Sequence, residues 1–292
     1  MSIYDVFYKN EDRAGDNDFN KEEWAKKKQK QREDAYEMVE KTCEKMLSDG
    51  EAFRDYLKVQ GRFDRYSVTN AVLVSAQMPN ATKLKDYRKW RSERVYVYKG
   101  ANKVVILEPG KEYIREDGTQ AVSYNAKVVY DISQTSVKDK AGKERTYSIR
   151  NLISALIDAS PAVFQPMDEL SIPAFYDKEK QTIFVKTGLT EEQLFKAVAK
   201  EVSAAIYHVK FNEDRETSNF KSYCIAFMTA SKYGMDTSDF NFNKVPEGLK
   251  GFEPQTLKNE LGKIRDVLGE IQTEMHRSLE KNAPMKNREQ ER

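Results

Sequence analysis

Apolar residues recur at helical spacing over the first eighty residues and predict three helices. The first begins near residue 20 and carries an apolar face from Tyr36 to Leu47, with Lys and Glu opposite. A second is expected from about Glu51 to Gln60. Ser67 is suited to cap the third, which Pro79 ends because proline cannot continue a helix.

The hydrophobic period then changes from helical to two. Val95, Val97, Val104 and Ile106 alternate with other residues around Lys99-Gly100-Ala101-Asn102, which predicts a hairpin. Before it, Asn80-Ala81-Thr82 is expected to cap a short helix that carries Tyr87 and Trp90. After it, Glu116-Asp117-Gly118-Thr119 predicts a turn, and Val122–Ile132 a returning strand.

Helical signals dominate the second half of the chain. Helices are expected over 149–159, 219–233 and 254–279, and two short strands within 174–185. Thr190-Glu191-Glu192-Gln193 fits a capping box, so a long helix should start there. The predicted fold class is α+β with two domains. The expected segments are an N-terminal extension and helix (1–44), a first domain (45–136), a linker (137–148), a mainly helical second domain (149–281) and a disordered tail (282–292).

Composition favours a protein of the cytoplasm. The chain has 292 residues and a net charge of only +2, so its overall charge does not indicate a nucleic-acid binder. Cys43 and Cys224 are too few for a disulfide framework, which suits a reducing compartment. The start has no basic-then-apolar leader, and no apolar run approaches the ~18 residues of a membrane span. We therefore expect no membrane partner.

One segment of the chain, in contrast, has a local excess of positive charge. Between Lys83 and Arg115 there are ten basic residues and four acidic ones. If Val95 and Val97 face inward, Tyr96 and Tyr98 face outward beside basic side chains, where they could stack on bases. Trp90 could equally belong to the core, because tryptophan is usually buried. A basic module with interleaved aromatic residues is suited to binding a polyanion.

Ordered motifs in this region resemble a known family. They are Arg65-Tyr66-Ser67, Asn70, Gln77-Met78-Pro79, Ala81-Thr82, Trp90, Lys99-Gly100 and Tyr130-Asp131-Ile132-Ser133-Gln134-Thr135. This set resembles the amino-terminal domain of ArdC-type antirestriction proteins, a domain that also occurs in some conjugative primases. Overall the chain is also similar to the LtrC-like proteins of Gram-positive mobile elements. The resemblance covers roughly residues 45 to 136 and implies binding of single-stranded DNA during plasmid or transposon transfer.

The candidate DNA-binding residues combine this resemblance with the local clustering of charge. They are Arg62, Arg65, Tyr66, Asn70, Gln77, Thr82, Tyr87, Arg88, Trp90, Arg91, Arg94, Tyr96, Tyr98, Lys99 and Lys103. For Asn70, Gln77 and Thr82 a different role is at least as reasonable, since such side chains also cap helices and fix turns.

The second half resembles the zincin-like metallopeptidase domain that follows in those families, but its ligands are missing. Such a domain needs His-Glu-x-x-His, with the two histidines on one helical face. The matching run is Lys200-Glu201-Val202-Ser203-Ala204, and Tyr223 stands where the third ligand is expected. Only the vestigial Glu201 remains, so we expect no metal, no cofactor and no catalysis. We expect Glu201 to pair with a nearby lysine.

Three functions remain open at the level of sequence. The leading one is a single-stranded-DNA-binding accessory protein of a conjugative or mobile element, with antirestriction or protection of transferred DNA as its role. The second is a metallopeptidase with an unorthodox site, for example one built from Glu201, His208 and Cys224. The third is an interaction module that binds conjugation or host proteins through the second domain.

Overall fold

The computed structural model describes residues 21–137 and 147–282, which contain helices and two small sheets. The predicted α+β class is confirmed for these residues. Residues 283–292 of the predicted tail, 138–146 of the predicted linker and the first twenty residues of the predicted N-terminal extension lie outside them. No described helix is both long and apolar enough to cross a membrane.

Three helices open the described chain, as predicted. They are α1 (Lys21–Ser48), α2 (Gly50–Arg62) and α3 (Val68–Gln77). The Asp49 carboxylate accepts a hydrogen bond from Glu51 N at 2.9 Å, and Ser67 Oγ accepts one from Asn70 N at 3.2 Å. These caps satisfy backbone N–H groups that a helix start leaves unpaired.

The first sheet contains β1 (Leu84–Lys85), β2 (Val104–Ile114) and β3 (Gln120–Asp131) in the antiparallel order β1-β3-β2. The predicted turn at Glu116–Thr119 and returning strand are confirmed. The predicted hairpin around Lys99-Gly100 is wrong. Val97 forms only a single bridge, with Thr135, because β2 pairs along its length with β3.

A short helix, α4 (Tyr87–Ser92), carries Tyr87 and Trp90 as expected, but its predicted cap is wrong. Asp86 caps it, by accepting a hydrogen bond from Lys89 N at 2.8 Å. The N–H groups of Thr82 and Lys83 instead donate to the buried carboxylate of Asp131, at 2.7 and 2.8 Å. Residues 80–82 therefore lead into β1 rather than into a helix.

The second sheet is mixed. Its strands are β4 (Val163–Met167), β5 (Ala174–Asp177) and β6 (Thr182–Lys186), in the order β4-β6-β5. The pair β5–β6 is antiparallel and was predicted, whereas β4 runs parallel to β6 and was not. Pro166 argues against a strand at β4 when the sequence is read alone. The structure accommodates it because β4 lies at the edge of the sheet, where the side that faces away from β6 needs no N–H donor.

Helices make up the rest of the second half. They are α5 (Ile149–Asp158), α6 (Glu191–Phe211), α7 (Arg215–Lys232), the single turn α8 (Val245–Gly248) and α9 (Pro254–Lys281). The predicted capping box is confirmed: Gln193 N donates to Thr190 Oγ1 at 3.3 Å, and Thr190 N donates to Gln193 Oε1 at 3.1 Å.

Buried apolar side chains from both halves of the chain form one continuous core. Helix α2 packs on α7 so closely that a Cβ added at Gly61 would lie 3.1 Å from Met228 O. The ring centroids of Phe53 and Phe242 lie 6.1 Å apart. The buried side chains before and after the predicted boundary belong to the same cluster, and the division into two domains stays a prediction.

Candidate nucleic-acid interface and the cleft beside helix α6

Trp90 anchors the basic segment instead of contacting a ligand. Its side chain is 1% exposed, and its Nε1 donates a hydrogen bond to Tyr130 O at 2.9 Å. Lys85 Nζ lies 4.8 Å from the centroid of its ring. The assignment of Trp90 as a base-stacking residue is therefore wrong, and its alternative as a core residue is confirmed.

Backbone hydrogen bonds fasten the following loop to the end of β3. Tyr98 N donates to Gln134 O, and Ser136 N donates to Tyr96 O, both at 2.9 Å. Val95 is buried beneath the loop, while Tyr96 is 66% and Tyr98 49% exposed. The predicted outward orientation of the two tyrosines is confirmed, although they do not belong to a hairpin.

Unpaired cations flank these tyrosines in the sequence. Arg88, Arg91, Arg94, Lys99 and Lys103 are exposed and form no ion pair with any residue that the structure describes. Glu93 is the sole carboxylate between residues 87 and 103, and it pairs with Lys85. Tyr87 is 51% exposed at the start of α4. We call Tyr87, Arg88, Arg91, Arg94, Tyr96, Tyr98, Lys99 and Lys103 the basic–aromatic surface.

Asn70 and Gln77 have structural roles. Asn70 Nδ2 donates to Leu107 O at 2.8 Å, and its Oδ1 accepts from Leu107 N at 2.8 Å. Gln77 does the same with Val105, at 2.8 and 2.9 Å. The two amides thereby pair the open edge of β2, which would otherwise leave backbone groups without partners. The structural role that the sequence left open for both residues is thus observed, and their assignment as DNA contacts stays a prediction.

Of the other candidate DNA-binding residues before the basic–aromatic surface, two contact the rest of the fold and two are exposed. Arg62 Nη2 donates to Pro79 O, and burial lowers the pKa of its guanidinium. The ring centroid of Tyr66 lies 4.9 Å from that of Phe63, and burial raises the pKa of its phenol. These contacts tie Arg62 and Tyr66 to the fold. Arg65 and the side chain of Thr82 are exposed.

Sequence reasoning did not assign a role to Asp131. Its carboxylate accepts hydrogen bonds from the backbone N–H groups of Thr82, Lys83 and Ser133, and so joins the segment before β1 to the end of β3. Burial raises the pKa of its carboxyl, but hydrogen bonds from Ser133, Lys83 and Thr82 outweigh burial, and the net pKa is lowered. An acid at the end of a predicted strand, followed by the polar residues Ser133, Gln134 and Thr135, is a sequence signal of a capping role that could have revealed it.

A cleft of about 450 Å³ opens between α6, α7 and the segment before β5. It lies where the zincin resemblance places an active site. Its lining residues are Ile172, Pro173, Ala174, Gln193, Lys196, Ala197, Lys200, Glu201, Arg215, Tyr223, Ala226, Asp239 and Phe240.

Glu201 is locked in this cleft by an arginine. Both of its carboxylate oxygens pair with the Arg215 guanidinium, with Oε1 at 2.8 Å from Nη2. Oε2 also accepts a hydrogen bond from Tyr176 N at 2.9 Å. The expectation that a lysine pairs with Glu201 is therefore wrong: its partner comes from the start of α7, fourteen residues further along the chain.

The other positions that align with the zincin motif offer no ligand set for a metal. Lys200 lies in the cleft without a hydrogen bond or ion pair to any described residue, and burial lowers the pKa of its ammonium. Ala204 is buried, and Tyr223 OH accepts a hydrogen bond from Asn241 N at 2.6 Å. Lysine, alanine and an engaged tyrosine do not fit a divalent cation.

The alternative site from Glu201, His208 and Cys224 is not assembled either. His208 Nδ1 lies 3.0 Å from Tyr176 OH, whereas Cys224 is fully buried in the core. Burial also raises the pKa of the Cys224 thiol well above its usual range. Within residues 21–137 and 147–282, no group of three or more His, Cys, Asp or Glu side chains is placed to hold a metal ion.

Comparison with known proteins supports a shared fold and not a close relationship. No protein-family model and no curated protein matches this sequence. The metal-free crystal structure of the antirestriction ArdC protein from plasmid R388 superposes with a TM-score of 0.50 and 16% identity, covering 73% of this chain and 86% of that chain. Its Mn(II)-bound structure gives 0.51 and 14%, covering 72% and 85%. The expected resemblance is thus confirmed at the level of structure: this chain is similar in fold to the ArdC antirestriction protein.

Proposed function

We propose that this protein binds single-stranded DNA through the basic–aromatic surface. The observation that carries the proposal is the exposure of three tyrosines among five cations that form no ion pair with described residues. Cations of this kind neutralise phosphates, and exposed aromatic rings stack on bases. Stacking requires unpaired bases, so single strands should bind more tightly than duplex.

The fold and this surface together support a proposal for the cellular role. We propose an accessory protein of a conjugative or mobile element that accompanies transferred DNA and protects it, with antirestriction as the outcome. Support comes from the fold shared with the R388 antirestriction protein. The protein would act in the cytoplasm, with conjugation or host proteins as further partners.

Titration of the full chain with single-stranded and duplex oligonucleotides of equal length tests DNA binding. We expect preference for single strands and an affinity that decreases with salt, with a log–log slope of about −0.7 per neutralised phosphate. Tyr96→Ala and Tyr98→Ala should each cost about 1–3 kcal/mol of binding free energy. Tyr36→Ala, at an exposed tyrosine on α1, is the matched control. Equal affinity for duplex would refute the proposal.

We further propose that the cleft is not a metallopeptidase site. Support comes from Lys200 and from the pairing of Glu201 with Arg215, which leaves no carboxylate free to act on a metal-bound water. Elemental analysis of protein purified without chelator is the test, and one zinc per chain would contradict it. A Lys200→His, Ala204→His, Tyr223→Glu variant should gain zinc if the zincin alignment is correct.

A further inference from the structure

The cleft beside α6 has an uncompensated positive charge. Among the described residues, its ionised lining side chains are Lys196, Lys200, Arg215, Glu201 and Asp239. Lys196 Nζ lies 2.8 Å from Asp239 Oδ1, and Arg215 is committed to Glu201. The charge left over is that of Lys200, which is half-buried and unpaired. An ammonium held away from bulk water without a partner favours binding of one negative charge.

The walls around Lys200 favour an apolar group next to that charge. Ile172, Pro173 and Phe240 line the cleft together with Ala197 and Ala226. A single uncompensated charge matches a carboxylate better than a doubly charged phosphate. The volume of about 450 Å³ lies in the range of sites that hold small organic ligands or short peptide ends.

The edge of β5 adds backbone groups to the cleft. In an antiparallel pair, successive residues direct their N–H and C=O groups alternately toward and away from the partner strand. Pro173 O accepts a hydrogen bond from Lys186 N and so faces β6, whereas Tyr176 N faces away, toward Glu201. Ala174, two residues before Tyr176, therefore directs its N–H and C=O groups away from β6 on the side of the cleft that it lines.

We propose that this cleft binds the C-terminal end of an extended peptide. The terminal carboxylate pairs with Lys200, the last side chain is apolar and contacts Ile172 and Phe240, and the peptide backbone hydrogen-bonds the edge of β5 at Ala174. Peptides commonly add to exposed strand edges in this way, with pockets that select side chains. The proposal is independent of DNA binding by the basic–aromatic surface.

Calorimetric titration of the full chain with two probe peptides tests this site. The probes are acetyl-Ala-Ala-Phe with a free carboxylate and the same peptide ending in a carboxamide. We expect the acid to bind about tenfold or more tightly than the amide, which corresponds to about 1.4 kcal/mol for the lost charge pair. Equal affinity of the two peptides, or no binding of the acid at millimolar concentration, would overturn the proposal without any mutant.

Two variants test whether Lys200 is the cation that binds the peptide carboxylate. Lys200→Gln should remove the preference for the acid, whereas Lys178→Gln, at an exposed lysine in the turn after β5, should retain it. Affinity for single-stranded DNA should be unchanged in Lys200→Gln, which separates this site from the proposed DNA surface. Competition by inorganic phosphate that is stronger than competition by acetate would indicate a dianion site and contradict the peptide assignment.

Discussion

At the scale of single residues, some polar side chains bond to the backbone of the fold and others are exposed to solvent. Asn70 and Gln77 belong to the motif that carries the family resemblance, yet both amides pair with the backbone of β2. Tyr96 and Tyr98 are exposed on a loop whose backbone is held by residues 134 and 136. The motif residues Asn70 and Gln77 therefore support the fold, whereas Tyr96 and Tyr98, which lie outside the motif, are part of the basic–aromatic surface.

Gln77→Ala should destabilise the protein without directly weakening DNA binding. The substitution leaves Val105 N–H and C=O without their partners, which should cost about 1–3 kcal/mol in the free energy of unfolding. Urea denaturation is the measurement, and Gln255→Ala, which removes only an exposed hydrogen bond to Asn259, is the control. A folded Gln77→Ala protein with unchanged stability but lost DNA binding would restore Gln77 as a contact residue.

Lys200→Met should stabilise the protein most at neutral pH. Burial lowers the pKa of Lys200, Glu201 opposes this, and Arg215 adds to it. Below the lowered pKa the folded state carries a poorly solvated charge, and this cost disappears as the pH rises toward 10.5, the ordinary value. The stability advantage of Lys200→Met should therefore shrink between pH 7 and pH 10. An advantage that grows with pH would contradict this.

At the scale of secondary-structure elements, close backbone contacts join the N-terminal helices to the second half. Gly50, the first residue of α2, lies so close to the carbonyl of Phe242 that an added Cβ would overlap it. Helix α2 also packs on α7, and two residues after α2 ends, Asp64 Oδ2 lies 2.7 Å from Nζ of Lys232, the last residue of α7. The helices that precede the basic segment are thus positioned by residues almost two hundred positions away.

Gly50→Ala tests this packing and should destabilise the protein by about 1–3 kcal/mol, because backbone must move to admit the methyl group. Gly269→Ala, within α9, has nothing within 4 Å of the new Cβ. It should stabilise by about 0.5–1 kcal/mol through helix propensity. Thermal unfolding of both variants gives the comparison, and a neutral Gly50→Ala would refute the contact.

At the scale of the whole molecule, the continuous core predicts one cooperative unfolding transition. The fluorescence of Trp24 and Trp90 reports on the first half, and far-UV circular dichroism reports mainly on helices, many of them in the second half. Because buried side chains of both halves share one cluster, the two signals should change at the same urea concentration. Two separated transitions would instead support the domain boundary predicted near residues 137–148.

Sequence alone determined the features that depend on local chemistry. Helix caps at Ser67 and Thr190, the turn at Glu116–Thr119 and the outward tyrosines follow from neighbouring residues, and the structure has them. The absence of a His-Glu-x-x-His motif is also visible in the sequence. Tertiary structure decided what depends on distant partners: the pairing of Glu201 with Arg215, the burial of Trp90 and the shared core. The physical reason is that burial and ion pairing depend on which elements meet in space, which periodicity and spacing do not encode.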